Sequence, residues 1–285
     1  MADMIAATEG APLLNKAEEK LIAWDDLPDW SRDNEYIHTG FRPISNSYWK
    51  CFQSCFYRHN ETVNIYTHLL ATFWMIALPI ALYPHARDHY PTAGADDWTV
   101  FALFFLGGAS CFALSTIYHV LSNHSHAVHD FAHKLDFLGI TIVTTGCFPP
   151  GVWYTFPCAA RKTKIFWISV RRGSPPHGPR QLLEAAGKNL TIVRQLNLVA
   201  QSLAAIFVFF VRRFRQPACR PLRGVLFSFM ASSAFYPIIY ACFLHGYIRM
   251  DREAAALRYA LTVVVYLTAV TIYAVRRVFA AQRDQ

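Results

Sequence analysis

The sequence predicts an all-α protein, a multi-spanning membrane helical bundle. Only 16% of its 285 residues are charged, 54% are hydrophobic, and long apolar runs recur along the chain. Soluble domains carry about 25% charged residues, and a helix needs about 20 apolar residues to cross a bilayer. We therefore expect one bundle of about six membrane spans.

The N-terminal part of the chain is predicted to lie outside the spans. Residues 1–45 contain several charges and prolines without sustained periodicity, so we expect a cytosolic tail. Residues 46–60 are rich in aromatic side chains, which is typical of a helix lying in the membrane interface. The membrane domain is accordingly assigned to residues 46–285.

The apolar runs define the predicted spans. They cover residues 64–83, 98–121, 131–156, 193–211, 222–245 and 256–278. Pro149 and Pro150 lie in the third run and are expected to kink or end it. Residues 171–190 contain Gly, Pro and basic residues, which predicts an irregular loop.

The distribution of basic residues indicates orientation in the membrane. Lys50 and Arg58 precede the first run, whereas the loop after it is acidic. Basic residues mark cytosolic segments, so we expect an integral, multi-pass protein with a cytosolic N-terminus. The net charge of +8 comes largely from residues in loops beside apolar runs, which argues against nucleic-acid binding. Residence in the plasma membrane or an endomembrane fits this pattern equally.

Polar residues at the ends of the apolar runs are the candidate functional residues. Glu61, Asn64 and His68 recur at i, i+3 and i+7, so on a helix they form one polar stripe. An ionisable side chain at membrane depth costs about 2.5–3.5 kcal/mol, so such residues normally have a role. Interhelical hydrogen bonding that fixes helix register is the structural interpretation of this stripe.

A second polar group lies near the end of the second run and the start of the third. Ser115 and His119 share a helix face, and a short connection returns Asp136 to a similar depth. An imidazole and a carboxylate from adjacent helices suit a zinc ion and its water. These residues predict either a zinc site or a polar cluster without metal.

Histidines are dense between the second and third runs, at His124, His126, His129 and His133. Three interpretations remain open for them: metal binding, a response to pH, or an interfacial loop. His245 lies at the end of the fifth run and is predicted to lie away from His119.

Together these motifs resemble the progestin and adipoQ receptor family. That family includes adiponectin receptors, fungal osmotin-receptor-like proteins and haemolysin III-related proteins. The resemblance is carried by the segment His59–His68, by the Ser-x-x-x-His sequence from Ser115 to His119, and by the segment Asp136–Ile140.

The resemblance implies a seven-helix bundle with a zinc ion near the cytosolic leaflet. By position, His119 would be a zinc ligand, Asp136 would hold the zinc-bound water, and Ser115 would be a polar catalytic partner. The family takes two more ligands from a His-x-x-x-His pair on its last helix, and no histidine follows His245 here. We therefore expect an incomplete zinc site, with His129 or His133 as alternative ligands.

The resemblance implies a receptor-like membrane protein of lipid, zinc and sterol homeostasis. Three functional classes remain open. One is a zinc-dependent, ceramidase-like amide hydrolase. Its partner would be a membrane lipid, either a ceramide or a sterol. A second is a non-enzymatic receptor or scaffold with an extracellular protein ligand. The third is a haem protein that uses a histidine pair such as His68 and His119.

Overall fold

A computed structural model gives the fold of most of the chain. It describes residues 21–32, 36–156, 219–233 and 235–281, except for some side chains near the C-terminus, together with isolated positions between these ranges. Within these residues the structure is helical, and the one extended pairing joins Ile22 to Phe41. The predicted all-α class is confirmed.

Eight α-helices occur in the described ranges. They are α1 (Tyr48–Ser54), α2 (Thr62–His89), α3 (Ala95–Leu121), α4 (His126–Thr155), α5 (Arg220–Ser233), α6 (Tyr236–His245), α7 (Tyr247–Ala254) and α8 (Ala256–Ala281). By length and apolar composition, α2, α3 and α4 are each able to cross a membrane. The pair α5 and α6 meets the same criterion together, with a bend of 50° between them.

The first three predicted runs correspond to α2, α3 and α4. Helix α4 continues through Pro149 and Pro150 to Thr155, so the prolines do not end the third run, and a kink at this point stays a prediction. Helix α2 likewise contains Pro79 and Pro84. Membrane helices tolerate proline because neighbouring groups satisfy the backbone carbonyls that proline leaves without a donor.

The fifth predicted run, 222–245, is broken into α5 and α6 instead of forming one helix. Pro237 stands in the first turn of α6, where its missing N–H is tolerated. A continuous helix through this point would lose a backbone hydrogen bond, which explains a break just before it. The predicted loop at 171–190 lies outside the described residues, and of the fourth run, 193–211, only scattered positions are described.

The predicted interfacial helix is shorter than expected, since α1 covers only Tyr48–Ser54 of the range 46–60. Ser47 begins it, with its hydroxyl accepting a hydrogen bond from the backbone N–H of Lys50 at 3.4 Å. Trp49 and Phe52 are 64% and 49% exposed. Exposed aromatic rings on a short helix are typical of a membrane–water interface.

The described part of the N-terminal segment is folded into a closed loop. Ile22 and Phe41 exchange two backbone hydrogen bonds, of 2.8 and 3.1 Å. Two short 3-10 helices, Trp24–Asp26 and Asp29–Ser31, lie between these residues. Residues 1–20 of the predicted tail lie outside the described residues.

The chain divides into two compact units, one of residues 1–78 and 109–139 and the other of residues 79–108 and 140–285. In the first unit, a β-carbon added at Gly139 would lie 3.0 Å from the Cα of Cys111. In the second unit, one added at Gly146 would lie 2.7 Å from the carbonyl oxygen of Leu103. Glycine therefore permits the close approach of α3 and α4 within each unit.

Candidate functional site

Glu61, the residue before α2, receives three side-chain hydrogen bonds. Its Oε1 accepts from Asn60 Nδ2 at 2.9 Å, and its Oε2 accepts from Asn64 Nδ2 and from His119 Nδ1, both at 2.8 Å. Burial raises the pKa of Glu61, but the bonds from His119 and Asn64 outweigh burial, and the pKa is about 2. Glu61 is therefore ionised at neutral pH and can only accept hydrogen bonds.

His68 connects α2 to the polar face of α3. Its Nδ1 lies 2.8 Å from Ser115 Oγ. The carboxyl group of Asp136 on α4 interacts electrostatically with His68 and His119. The His68 and His119 rings meet edge to face, with centroids 5.3 Å apart. Two motifs that are separate in sequence therefore meet within the first unit. We call the set the polar cluster: Glu61, Asn64, His68, Ser115, His119 and Asp136.

Arg42 ties the N-terminal segment to the end of α3. It is only 3% exposed. Its Nη2 donates to the His119 carbonyl oxygen and to Ser122 Oγ, both at 2.7 Å. Its Nη1 donates to the Val120 carbonyl oxygen at 3.0 Å and to Ser54 Oγ at 2.7 Å. A cation that binds the last carbonyls of a helix stabilises that end, so Arg42 fixes the backbone of His119.

A cavity of about 170 Å³ lies beside the polar cluster. Glu61, Asn64 and His119 line it, together with Arg42 and Asn123. Arg42 Nε and Asn123 Oδ1 are buried and have no hydrogen-bond partner in the part of the chain that the structure describes. Unsatisfied polar atoms beside a cavity of this size suit water molecules or a small polar ligand.

His59 precedes Glu61 and shapes the start of α2. Its Nδ1 accepts a hydrogen bond from the backbone N–H of Glu61 at 3.0 Å, and its Nε2 is buried without a partner among the described residues. Burial and the positive charge of Arg42 lower the pKa of His59 to about 4. The ring is therefore neutral at pH 7. In the sequence His59 is only one member of the His59–His68 motif. Its hydrogen bond with the backbone of Glu61 becomes apparent only in the fold.

The histidines that follow α3 pack against aromatic rings. His126 stacks on Trp30 with centroids 5.2 Å apart, and His133 stacks on Tyr118 at 4.9 Å. His129 contacts both of these aromatic residues and also lines the cavity. His126, His129 and His133 lie on α4 instead of in a loop, and their metal binding, response to pH and interfacial position stay predictions. The use of His129 or His133 as a zinc ligand stays a prediction.

The polar cluster fits zinc in one respect and not in another. His119 has the geometry of a metal ligand, because a carboxylate bound to Nδ1 orients the ring and leaves Nε2 for a metal. Within the described ranges, however, no group of three or more His, Cys, Asp or Glu side chains is arranged to hold a metal ion. The residues therefore support an imidazole ligand at His119 without a complete three-residue set.

The haem alternative requires space between His68 and His119. Their rings are in contact at a centroid separation of 5.3 Å, which is the range of touching aromatic pairs. A porphyrin with one ring on each side does not fit this arrangement.

Comparison with known proteins extends these observations. A family profile described as haemolysin-III related matches residues 56–285. The adiponectin receptor protein of Drosophila melanogaster is 30% identical over 261 residues, which cover 92% of this chain and 52% of the relative. The progestin and adipoQ receptor-like protein 1 of Caenorhabditis elegans is 28% identical over 263 residues, which cover 92% and 53%. The chain thus spans about half the length of these two relatives.

A fungal relative is covered more fully. The ADIPOR-like receptor IZH2 of Saccharomyces cerevisiae is 26% identical over 261 residues, which cover 92% of this chain and 73% of the relative. These matches include the polar cluster and α2 to α4.

Proposed function

Because the chain belongs to the haemolysin-III related family, we propose that it is a receptor-like membrane protein whose polar cluster binds zinc through His119. The observation that carries this proposal is the 2.8 Å contact between His119 Nδ1 and Glu61 Oε2. It holds the imidazole in the tautomer whose Nε2 is free for a metal. Imidazole is a preferred ligand of zinc.

A membrane lipid, a ceramide or a sterol, is the ligand that we propose for this site. Support comes from the cavity of about 170 Å³ beside Glu61 and His119, which has room for the polar group of such a lipid and lies next to membrane-length helices. Zinc bound there would supply Lewis-acid polarisation of a lipid amide. Ser115, which contacts His68, and the carboxyl group of Asp136 on α4 would orient the polar group of the lipid.

The orientation that we propose puts the N-terminus and the polar cluster on the cytosolic side. Lys50 and Arg58 lie before α2, whereas Asp88, Asp96 and Asp97 lie near its other end and at the start of α3. This asymmetry follows the rule that basic residues stay in the cytosol. By analogy with the Drosophila adiponectin receptor protein, we propose an extracellular protein ligand such as adiponectin for the opposite side of the membrane.

The test of the proposed function is the zinc content of the purified full chain in detergent. We expect about one zinc ion per chain in the unmodified protein and loss of zinc in His119→Ala. His89→Ala is the matched control, because His89 is exposed at the end of α2. Equal zinc content in both variants would contradict the proposal.

A metal-free receptor or scaffold is the second candidate. It is favoured by the ligand chemistry of the described ranges, in which no three-residue set is arranged to hold a metal ion. A scaffold has no zinc to lose, so its thermal stability is unchanged by a chelator. Zinc-dependent release of fatty acid from ceramide, lost in His119→Ala and kept in His89→Ala, would instead identify the hydrolase.

A further inference from the structure

A second polar cavity lies where α3 begins and α4 ends. It has a volume of about 470 Å³, and its polar lining side chains are Thr92, Asp96, Asp97, Trp153, Arg161 and Lys164. Asp96 and Asp97 are in the first turn of α3, whereas His119 is in its last turn. The cavity is therefore separate from the polar cluster, and all of its lining residues belong to the second unit.

Asp97 joins the start of α3 to the end of α4. Its Oδ1 accepts a hydrogen bond from Trp153 Nε1 at 2.8 Å, and its Oδ2 accepts one from the backbone N–H of Gly94 at 2.9 Å. The hydroxyl of Tyr154 donates to the Asp97 carbonyl oxygen at 3.3 Å. Both carboxylate oxygens of Asp97 therefore bind protein donors, and the Trp153 indole is fixed in the wall of the cavity.

Lys164 is a buried cation in the same wall. It is only 8% exposed, and its Nζ lies 4.8 Å from the centroid of the Trp153 ring. Lysine is rarely buried, because removal of an ammonium group from water is costly. An ammonium group has three N–H donors, so Lys164 can bind an anion in the cavity in addition to the contacts that it already makes.

Arg161 provides a second cation next to Lys164. Both residues are helical, and the spacing of i and i+3 puts them on one face. Arg161 donates to the Asp96 carboxylate through Nε and through Nη2, the latter at 2.7 Å. Its Nη1 makes no hydrogen bond among the described residues. The side chain is 65% exposed, so a second acceptor has access to it.

The position of the cavity indicates which anion is available to it. Helices α3 and α4 are each long enough to cross a membrane, and the cavity lies at an end of both. Tryptophan and tyrosine are enriched at the level of the lipid head groups, and Trp153 and Tyr154 occupy the last turn of α4. Basic pockets between membrane helices are typical binding sites for lipid head groups.

We propose that this cavity binds the phosphodiester group of a membrane phospholipid, with Lys164 and Arg161 as donors to the phosphate oxygens. Trp153 and Asp96 are positioning residues, because the indole ring faces the Lys164 ammonium group and the Asp96 carboxylate holds the Arg161 guanidinium group. Neither a ceramide nor a sterol contains a phosphodiester. The site is therefore distinct from the one proposed at the polar cluster, and it does not require zinc.

The carboxylates of the cavity do not exclude this ligand. Asp96 is paired with Arg161, and Asp97 is held by Trp153 and the backbone of Gly94. Two carboxylates and two cations leave the cavity without net charge. A head group whose phosphate is accompanied by an ammonium group suits this balance, so phosphatidylcholine is the probe that we choose.

The experiment measures lipid binding to the delipidated full chain in detergent by native mass spectrometry. Dioleoylphosphatidylcholine is compared with dioleoylglycerol, which has the same chains without phosphate, and with glycerophosphocholine, which has the phosphodiester without chains. The variants are Lys164→Met and Arg161→Gln. Arg249→Gln is the matched control, because Arg249 is a similarly exposed arginine in an ion pair, with Glu253. Thermal unfolding checks that each variant is folded, and exposed Arg161 tests the site independently of buried Lys164.

We expect Lys164→Met to weaken binding of dioleoylphosphatidylcholine by more than about tenfold and Arg161→Gln by about threefold or more, because each removes a charged donor to phosphate. Arg249→Gln should leave binding unchanged, and dioleoylglycerol should bind the unmodified protein more than about tenfold more weakly than dioleoylphosphatidylcholine.

Three results would overturn the proposal. Equal affinity for dioleoylphosphatidylcholine and dioleoylglycerol would mean that the lipid chains alone are bound. Unchanged affinity in Lys164→Met and Arg161→Gln, or an equal loss in Arg249→Gln, would remove the two cations from the site. Glycerophosphocholine bound as tightly as the complete lipid would assign the cavity to a free phosphodiester instead of a membrane lipid. Each result is independent of the zinc content that tests the proposed function.

Discussion

His119 Nδ1 lies 2.8 Å from Glu61 Oε2, which joins the last turn of α3 to the residue that precedes α2. The same His119 is held through its backbone carbonyl by Arg42 at 2.7 Å. A side chain fixed at both its backbone and its ring has little freedom to reorient. This preorganisation is what a metal ligand needs.

The first prediction concerns Glu61→Gln. The substitution keeps the size of the side chain but removes the charge that orients His119, so we expect Zn²⁺ affinity to fall about 10- to 100-fold. The measurement is chelator competition on the full chain in detergent. Glu253→Gln is the control, because Glu253 pairs with Arg249 on the exposed surface of α7. Equal affinities in the two variants would remove Glu61 from the metal site.

The second prediction concerns Arg42→Ala. The guanidinium group of Arg42 makes four hydrogen bonds, to Ser54, His119, Val120 and Ser122. Because each hydrogen bond to a charged group contributes about 1.5–3 kcal/mol, we expect a loss of about 3 kcal/mol or more in the free energy of unfolding. Arg42→Lys should recover only part of this, since an ammonium group cannot reproduce the planar fork.

Thermal unfolding in detergent measures the effect of Arg42, with Arg87→Ala as the control. The side chain of Arg87 is 64% exposed and pairs with exposed Asp88, so its removal should change stability by about 1 kcal/mol at most. An equal change in the two variants would show that Arg42 does not stabilise the end of α3.

The third prediction concerns Gly146→Ala in the second unit. The added methyl group would lie 2.7 Å from the carbonyl oxygen of Leu103, so α3 and α4 must separate locally. Overpacking of this kind costs about 1–3 kcal/mol. At Gly94 the nearest atom to an added β-carbon is 4.0 Å away, so Gly94→Ala is the control and should change stability by less than about 0.5 kcal/mol. Similar unfolding midpoints for both variants would contradict close packing at Gly146.

Hydropathy predicted the positions of α2, α3 and α4, because apolar runs of membrane length have few structural alternatives. It placed Pro149 and Pro150 inside the third run without deciding whether they kink or end the helix, and it did not predict that the run 222–245 divides into α5 and α6. Proline restricts the backbone in the same way in α4, at Pro149 and Pro150, and at the start of α6, at Pro237. Whether the helix continues depends on groups from neighbouring segments, which periodicity does not describe.

The residues of the candidate site were predictable from the sequence, but the contacts between them were not. Periodicity placed Glu61 and His68 on one helix face and Ser115 and His119 on another. Which faces meet depends on the rotation of each helix about its axis, and that is set by packing. Arg42 gave no signal of its own, because its role comes from acceptors more than ten residues away along the chain.

The last prediction is a dependence of stability on pH that comes from His59. In the folded protein the pKa of His59 is about 4, below its ordinary value of 6.5, because of burial and the charge of Arg42. Between these two values the unfolded chain binds more protons than the folded protein. The contribution of neutral His59 is therefore complete above pH 6.5 and is lost as pH falls to about 4.

His59→Asn isolates this effect. The asparagine Oδ1 can accept the backbone N–H of Glu61 two residues on, as in an Asx-turn, and it does not titrate. Glu61, with a pKa of about 2, stays ionised throughout the window and contributes equally to both proteins. We expect the difference in unfolding midpoint between the unmodified protein and His59→Asn to shift in favour of the variant as pH falls from 6.5 to 4. A difference that is constant over this range would mean that protonation of His59 is not linked to folding.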